Sequence, residues 1–142
     1  TVIATTNLFK HFDKTLSRRF DLIVDFNRYT QEDLQEIAES ILNSFLTKFK
    51  IAGRNTRLFF KIISKNGSLP NPGELKNIIK TAVAFSDASI ECDYLRRLYE
   101  KFIGHIPSDL QQLQEQGFTV REIEILSGVS KSQVARALQG DK

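Results

Sequence analysis

With 142 residues, 41% of them hydrophobic and 26% charged, the chain has the length of one ordinary domain or two small ones and a soluble globular composition. The lone cysteine, Cys92, excludes a disulfide framework or a cysteine zinc site, neither His11 nor His105 has a ligand-spaced partner, and no apolar run approaches the length of a membrane span. The net charge of +3 is uneven: residues 1–29 hold five basic and three acidic residues, 30–105 eleven and nine, and 106–142 four and five, so the last stretch is net −1 and no basic arm.

Two short apolar, β-branched or aromatic segments open the chain, at residues 2–5 and 20–26, and both read as strands. Two strands do not make a stable sheet, which suggests that they belong to a larger one. Thr30, with Asp33 three residues on, then marks a helix start. Leu34, Ile37, Ala38, Ile41, Leu42, Phe45, Leu46 and Phe49 follow at spacings of three and one, a single broad apolar stripe. Asn55 or Thr56 can cap a shorter helix containing Leu58, Phe59, Phe60, Ile62 and Ile63, which stops near Asn66 and Gly67. A loop with two prolines leads to a helix burying Leu75, Ile78, Ile79, Ala82 and Val83. A further helix, at about 91–103, buries Leu95, Leu98, Tyr99, Phe102 and Ile103. The middle of the chain is therefore expected to be a four-helix unit.

Residues 104–107 read as a linker. Three short helices follow, each announced by a serine or threonine with a glutamine or glutamate three later: Ser108 with Gln111, Thr119 with Glu122, and Ser130 with Gln133. Such a pair satisfies the orphan amides of a helix start from both sides.

Three pieces carry a resemblance. The run Val2, Ile3, Ala4, Thr5, Thr6, Asn7 is followed by Ser17, Arg18, Arg19, Phe20, Asp21 and by Ile23, Val24, Asp25, Phe26. Then, after the long amphipathic helix, Pro70, Asn71, Pro72, Gly73, Glu74, Leu75 opens another. Across about 85 residues this order of parts resembles the C-terminal portion of an AAA+ ATPase. The resemblance implies that Asn7 is the sensor-1 residue beside the γ-phosphate, where an amide can both donate and accept. It implies that Arg19, with Arg18 as the second candidate, is the arginine finger acting on a neighbouring subunit's nucleotide. It also implies that the helix start at Gly73, Glu74, Lys76 and Asn77 is the sensor-2 region of the lid. Two departures are visible: Leu22 stands where many relatives have a second arginine, and Gly73 stands where many have the sensor-2 arginine.

Without the resemblance, the same residues have plainer accounts. Asn7 can simply end a strand in a turn, Arg18 and Arg19 can be a solvated pair, and Asn71 and Pro72 make a well-capped helix whose amides suit a phosphate or ribose. No G-x-x-x-x-G-K-[ST] loop and no acidic strand end for magnesium are present. ATP with magnesium is thus expected as the cofactor of the full-length protein, whereas this chain alone is expected to bind neither tightly and to be inactive.

The segment 117–138 resembles the helix-turn-helix of resolvase-type and related bacterial DNA-binding domains. Ile123 and Leu126 would pack its first helix, Gly128 its turn, and Val129, Val134 and Leu138 its second. Lys131, Ser132, Gln133 and Arg136 would then reach bases and phosphates. The segment's negative balance offers little phosphate attraction, which several copies in an oligomer would offset. The alternative is a three-helix cap used for packing or for a protein partner.

The expected fold is therefore mainly α: remnant strands of an α/β nucleotide-binding core in 1–28, a helical lid in 29–104, and a helix-turn-helix-like unit in 105–142. The expected function is that of a cytoplasmic, homo-oligomeric AAA+ ATPase coupling ATP turnover to DNA-associated work, with no membrane partner. The alternative is a protein-remodelling ATPase whose last helices bind a protein or stabilise the oligomer.

Overall fold

The computed structural model describes residues 1–26 and 28–140, so position 27 and the last two positions of the expected 105–142 unit lie outside the described residues. Eight α-helices form there: α1 (Lys14–Ser17), α2 (Gln31–Lys48), α3 (Thr56–Ser64), α4 (Pro72–Ala84), α5 (Asp93–Phe102), α6 (Leu110–Glu115), α7 (Val120–Ser127) and α8 (Lys131–Gln139). A single 3₁₀ turn, Phe9–His11, precedes them. The chain is mainly α, as its apolar spacing predicts.

The long helix α2 begins where a reciprocal capping box allows it to: Thr30 Oγ1 accepts from the Asp33 amide at 3.1 Å and Asp33 Oδ2 accepts from the Thr30 amide at 2.8 Å. Its stripe of Leu34, Ala38, Leu42, Phe45 and Leu46 is buried. Phe49, expected on that stripe, is 39% exposed because it is the C-cap, and Lys50 beyond it turns into the left-handed region at φ 53°. The Leu69 amide, in the loop before α4, donates to Gln31 Oε1 at 3.0 Å and ties that loop to the first turn of α2. Helix α4 then lays Leu75, Ile79, Ala82 and Val83 into the core, packed chiefly against α2.

Helix α3 is capped by Asn55, whose Oδ1 accepts from the Leu58 amide at 2.9 Å while its own amide donates to Tyr94 Oη at 3.4 Å. The same residue therefore starts one helix and anchors to another. Tyr94, Leu95, Leu98 and Tyr99 make α5 the central helix, against α3, α4 and α7. At its start, buried Asp93 is paired through Oδ2, which accepts from the Asp87 amide at 2.9 Å and from Arg97 Nε at 3.0 Å. Cys92, also buried, has its thiol pushed up in pKa by burial and then by Glu91, the environment of an inert cysteine.

The core does not stop at residue 104. Leu113, Phe118, Ile123, Leu126 and Val134 from the last three helices join the same buried cluster as Leu34 to Tyr99. Polar ties cross the join: Lys61 Nζ donates to Glu122 Oε2 at 2.6 Å, and Tyr99 Oη donates to Gln116 Oε1 at 2.8 Å. Lys61 and Lys65 also stand over the Phe118 ring, 5.3 and 5.4 Å from its centroid.

Neither expected strand forms among the described residues. Residues 2–5 and 20–26 lack regular secondary structure, and Val2, Ile3, Leu22 and Phe26 are 74% or more exposed. A strand is completed by hydrogen bonds to a neighbouring strand, and neither segment has such a neighbour among the described residues. Between them, Asp13 caps the one-turn α1 by accepting from the Thr15 amide at 2.9 Å.

The start of α4 rests on a local cap, since Asn71 Oδ1 accepts from the Glu74 amide at 3.0 Å and Pro72 holds the first helical position. Replacing Asn71 with alanine is expected to cost about 1 kcal/mol of stability, read by urea or thermal denaturation. A change within a few tenths of a kcal/mol would show that the cap contributes nothing.

Candidate functional site

The residues singled out for nucleotide chemistry fall on two separate parts of the chain. Asn7 lies in an irregular, exposed stretch, and Arg18 and Arg19 close the short α1, also exposed, with the Arg19 amide donating to Leu16 O at 3.1 Å. None of the helical residues of this N-terminal part is buried, and its elements do not pack extensively on the bundle.

The other part is the first turn of α4. Pro72 has no amide hydrogen, the Glu74 amide is taken by Asn71 Oδ1, and the Leu75 amide donates to Asn71 O at 3.0 Å. This leaves the Gly73 amide as the one first-turn donor without a partner among the described residues. The expectation of several free amides thus narrows to one. A side chain at Gly73 would place its Cβ 3.2 Å from Asn71 Oδ1, so glycine keeps both the cap and the open approach. Gly73, Glu74, Lys76 and Asn77 are all exposed. Two clefts, of about 270 Å³ beside Thr81, Phe85 and Arg97 and about 410 Å³ beside Asn43, Lys50 and Arg54, contain none of the singled-out residues.

The C-terminal candidate is built more completely. Helix α6 starts at Asp109, whose Oδ1 accepts from the Gln111 amide at 2.9 Å, so the expected Ser108 box gives way to a cap one residue later. An aspartate is a strong N-cap and its carboxylate also favours the positive end of the helix. Gly117 (φ 87°) ends α6, with the Phe118 amide returning to Leu113 O at 3.1 Å, and thereby folds Phe118 into the core.

Helix α7 has the expected box: Glu122 Oε2 accepts from the Thr119 amide at 2.8 Å and Thr119 Oγ1 from the Glu122 amide at 3.4 Å. Gly128 (φ 74°) makes the turn, and its amide closes on Glu124 O at 2.9 Å. Helix α8 then crosses on α6 and α7.

The third box does not form as expected. The Ser130 hydroxyl donates to Gln133 Oε1 at 2.9 Å, and the Lys131 amide is capped from outside the helix by Glu124 Oε1 at 2.9 Å. Glu124 reaches back across the turn from α7, seven residues away. The result holds Gln133 by its carbonyl end, while Lys131, Ser132, Gln133 and Arg136 all remain exposed: Ser132 and Arg136 lie opposite buried Val134, Gln133 flanks them, and Lys131 stands one turn before Val134 on its own side. Helical spacing brings Ser132 and Arg136 together on one face, whereas Lys131 and Gln133 project to either side of it.

Electrostatics around this face differ from the sum over the segment. Glu122, buried, is neutralised by Lys61 from α3. The guanidinium of Arg96 from α5 lies beside the turn, its Nη1 3.4 Å from where a Cβ on Gly128 would sit. Neither residue was legible in the tail's own sequence, because each comes from an element at least 30 positions earlier in the chain.

Among the described residues no group of His, Cys, Asp and Glu is placed to hold a metal ion, and no helix is long and apolar enough to cross a membrane. No family model, no curated protein and no solved structure matches this chain.

Proposed function

We propose that this chain is the C-terminal part of an AAA+ ATPase in which α2 to α5 form the helical lid and α6 to α8 form a helix-turn-helix-like unit that binds duplex DNA. ATP binding and hydrolysis in a homo-oligomer would then drive the DNA-associated work. The observation that carries the DNA part is the exposed face of α8. Ser132 and Arg136 lie opposite buried Val134 with Gln133 beside them, and Lys131 is exposed in the first turn, behind a left-handed glycine turn. Such a helix can enter a major groove and present donors to base edges and phosphates.

The nucleotide part is supported by the order of sequence pieces, by the open Gly73 amide, and by exposed apolar side chains in 2–5 and 22–26 that suit burial in a sheet. In this reading Asn7 positions the attacking water, Arg19 acts in trans, and the first turn of α4 approaches the nucleotide through backbone. ATP and its magnesium would supply the transferable phosphoryl group and its charge neutralisation.

The test is duplex DNA binding by the full-length protein as a function of salt. Lys131→Ala combined with Arg136→Ala is expected to weaken binding about tenfold and to flatten the slope of log affinity against log salt by about 2. Wild-type protein that binds no DNA in its oligomeric state, with or without ATP, would favour the remodelling alternative.

A further inference from the structure

We infer that Arg96, a residue of the helical bundle, belongs to the DNA-binding surface and contacts a backbone phosphate beside the Gly128 turn. This inference rests on the DNA-binding reading of α7 and α8. Its own warrant is geometric. Arg96 projects from α5 toward the one glycine in the α7–α8 connection, close enough that a Cβ there would stand 3.4 Å from its Nη1 and 4.0 Å from its Cζ. Its neighbour Arg97 is held by Asp93 at 3.0 Å, whereas Arg96 has no carboxylate partner among the described residues. Arg96 is a half-buried residue, and the lack of a carboxylate partner among the described residues leaves its guanidinium donors open to an external anion.

Position adds a second argument. The turn leads directly into α8, whose exposed residues would read the bases, so a group lying over the turn would flank the groove and face its rim. The anions at a groove rim are phosphates, and a planar fork of donors matches a phosphate oxygen pair. Arg96 also answers the charge deficit of the tail. Residues 106–142 are net −1 by sequence, but Lys61 cancels Glu122 and Arg96 adds a cation at the turn. The bundle therefore supplies part of the positive field that the last helices lack. Arg96 would fix the register of the duplex and leave sequence choice to α8.

The experiment compares wild type, Arg96→Ala, Arg96→Lys and, as a charge-matched control on α2, Lys48→Ala in the full-length protein. Duplex DNA affinity is measured between about 50 and 200 mM salt, a range in which phosphate contacts dominate the response. Arg96→Ala is expected to weaken binding several-fold, equally for cognate and unrelated duplexes, and to lower the salt slope by about 0.9. Arg96→Lys should keep most of the slope, because the charge stays, and Lys48→Ala should change nothing. The melting temperature of each variant is read in parallel, and Arg96→Gln replaces Arg96→Ala if the alanine variant unfolds. Salt-dependent binding by wild type with an unchanged slope in Arg96→Ala, or an equal change in Lys48→Ala, overturns the role of Arg96 alone. No DNA binding by wild type overturns the proposed function and this inference with it.

Discussion

Arg19→Ala in the full-length oligomer is expected to lower ATP hydrolysis by roughly a thousandfold or more while leaving nucleotide binding intact. The expectation follows from the proposed role. An arginine finger contributes a fixed positive charge where negative charge spreads in the transition state, so its loss raises the barrier without removing the ground-state contacts of the nucleotide. Arg19 suits the task structurally, being exposed at the end of α1 and free to cross to another subunit. A role in trans makes a further demand on the data. Mixing Arg19→Ala subunits with subunits that cannot bind ATP should restore part of the activity, since each site needs an arginine from its neighbour. Arg18→Ala serves as the comparison. Loss confined to Arg18→Ala would move the finger by one residue, and full activity in both variants would remove the assignment.

Lys61→Met is expected to destabilise the fold by about 3 kcal/mol at neutral pH, because it strands a buried carboxylate. Glu122 is 7% exposed at its side chain and Lys61 26%, with 2.6 Å between Nζ and Oε2. The two partners are therefore not equivalent. Without Glu122, the lysine stem can carry its ammonium to water, whereas without Lys61 the carboxylate cannot follow. Glu122→Gln, which can still accept from the Thr119 amide and keep the α7 box, should cost distinctly less, on the order of 1 kcal/mol.

The pH dependence gives this prediction a sign. Burial pushes the Glu122 carboxyl up, but hydrogen bonds from Lys61 and from the Thr119 amide outweigh it and hold the group below its ordinary value. A depressed folded value means that the stabilisation is present above the unfolded carboxyl value, about 4.3, and is lost as pH falls through the folded one. In Lys61→Met only burial and the Thr119 contacts act on Glu122, so its carboxyl should titrate higher and its penalty should fade on acidification. The gap between wild type and Lys61→Met, measured by urea denaturation at pH 7 and again near pH 4, should therefore narrow. An equal gap at both values, or a cost below about 0.5 kcal/mol, would mean that this pair is solvated and does not hold the last three helices to the bundle.

That attachment bears on how the proposed machine would work. Lys61, Lys65 and Tyr99 of the bundle grip Glu122, Phe118 and Gln116 of the last three helices across one continuous core. A change in the lid on nucleotide binding would, in the proposed function, be passed to α8 through this shared core. In the proposed function this packing is the link between ATP state and DNA contact.

What the sequence determined by itself were features whose partners lie within a turn or two. The boxes at Thr30 and Thr119, the caps at Asn55 and Asn71, the glycine turn at 128 and the buried stripe of α2 all follow from residues no more than a few positions apart. The exposure of Ser132, Gln133 and Arg136 follows in the same way from helical period, whereas that of Lys131, one turn from buried Val134, does not. Tertiary structure decided the rest. The apolar, β-branched runs at 2–5 and 20–26 announce strands, yet strand hydrogen bonds require a neighbour, and here the segments stay irregular and exposed. Ser130 satisfies the sequence rule for a cap, but its hydroxyl donates to Gln133 Oε1 and takes no amide, while Glu124, folded back across the turn, accepts from the Lys131 amide. The pairing of Lys61 with Glu122 spans 61 positions, and the approach of Arg96 to Gly128 spans two helices. No periodicity encodes such contacts, because they depend on how helix faces meet, and that is settled by burying the whole apolar surface at once.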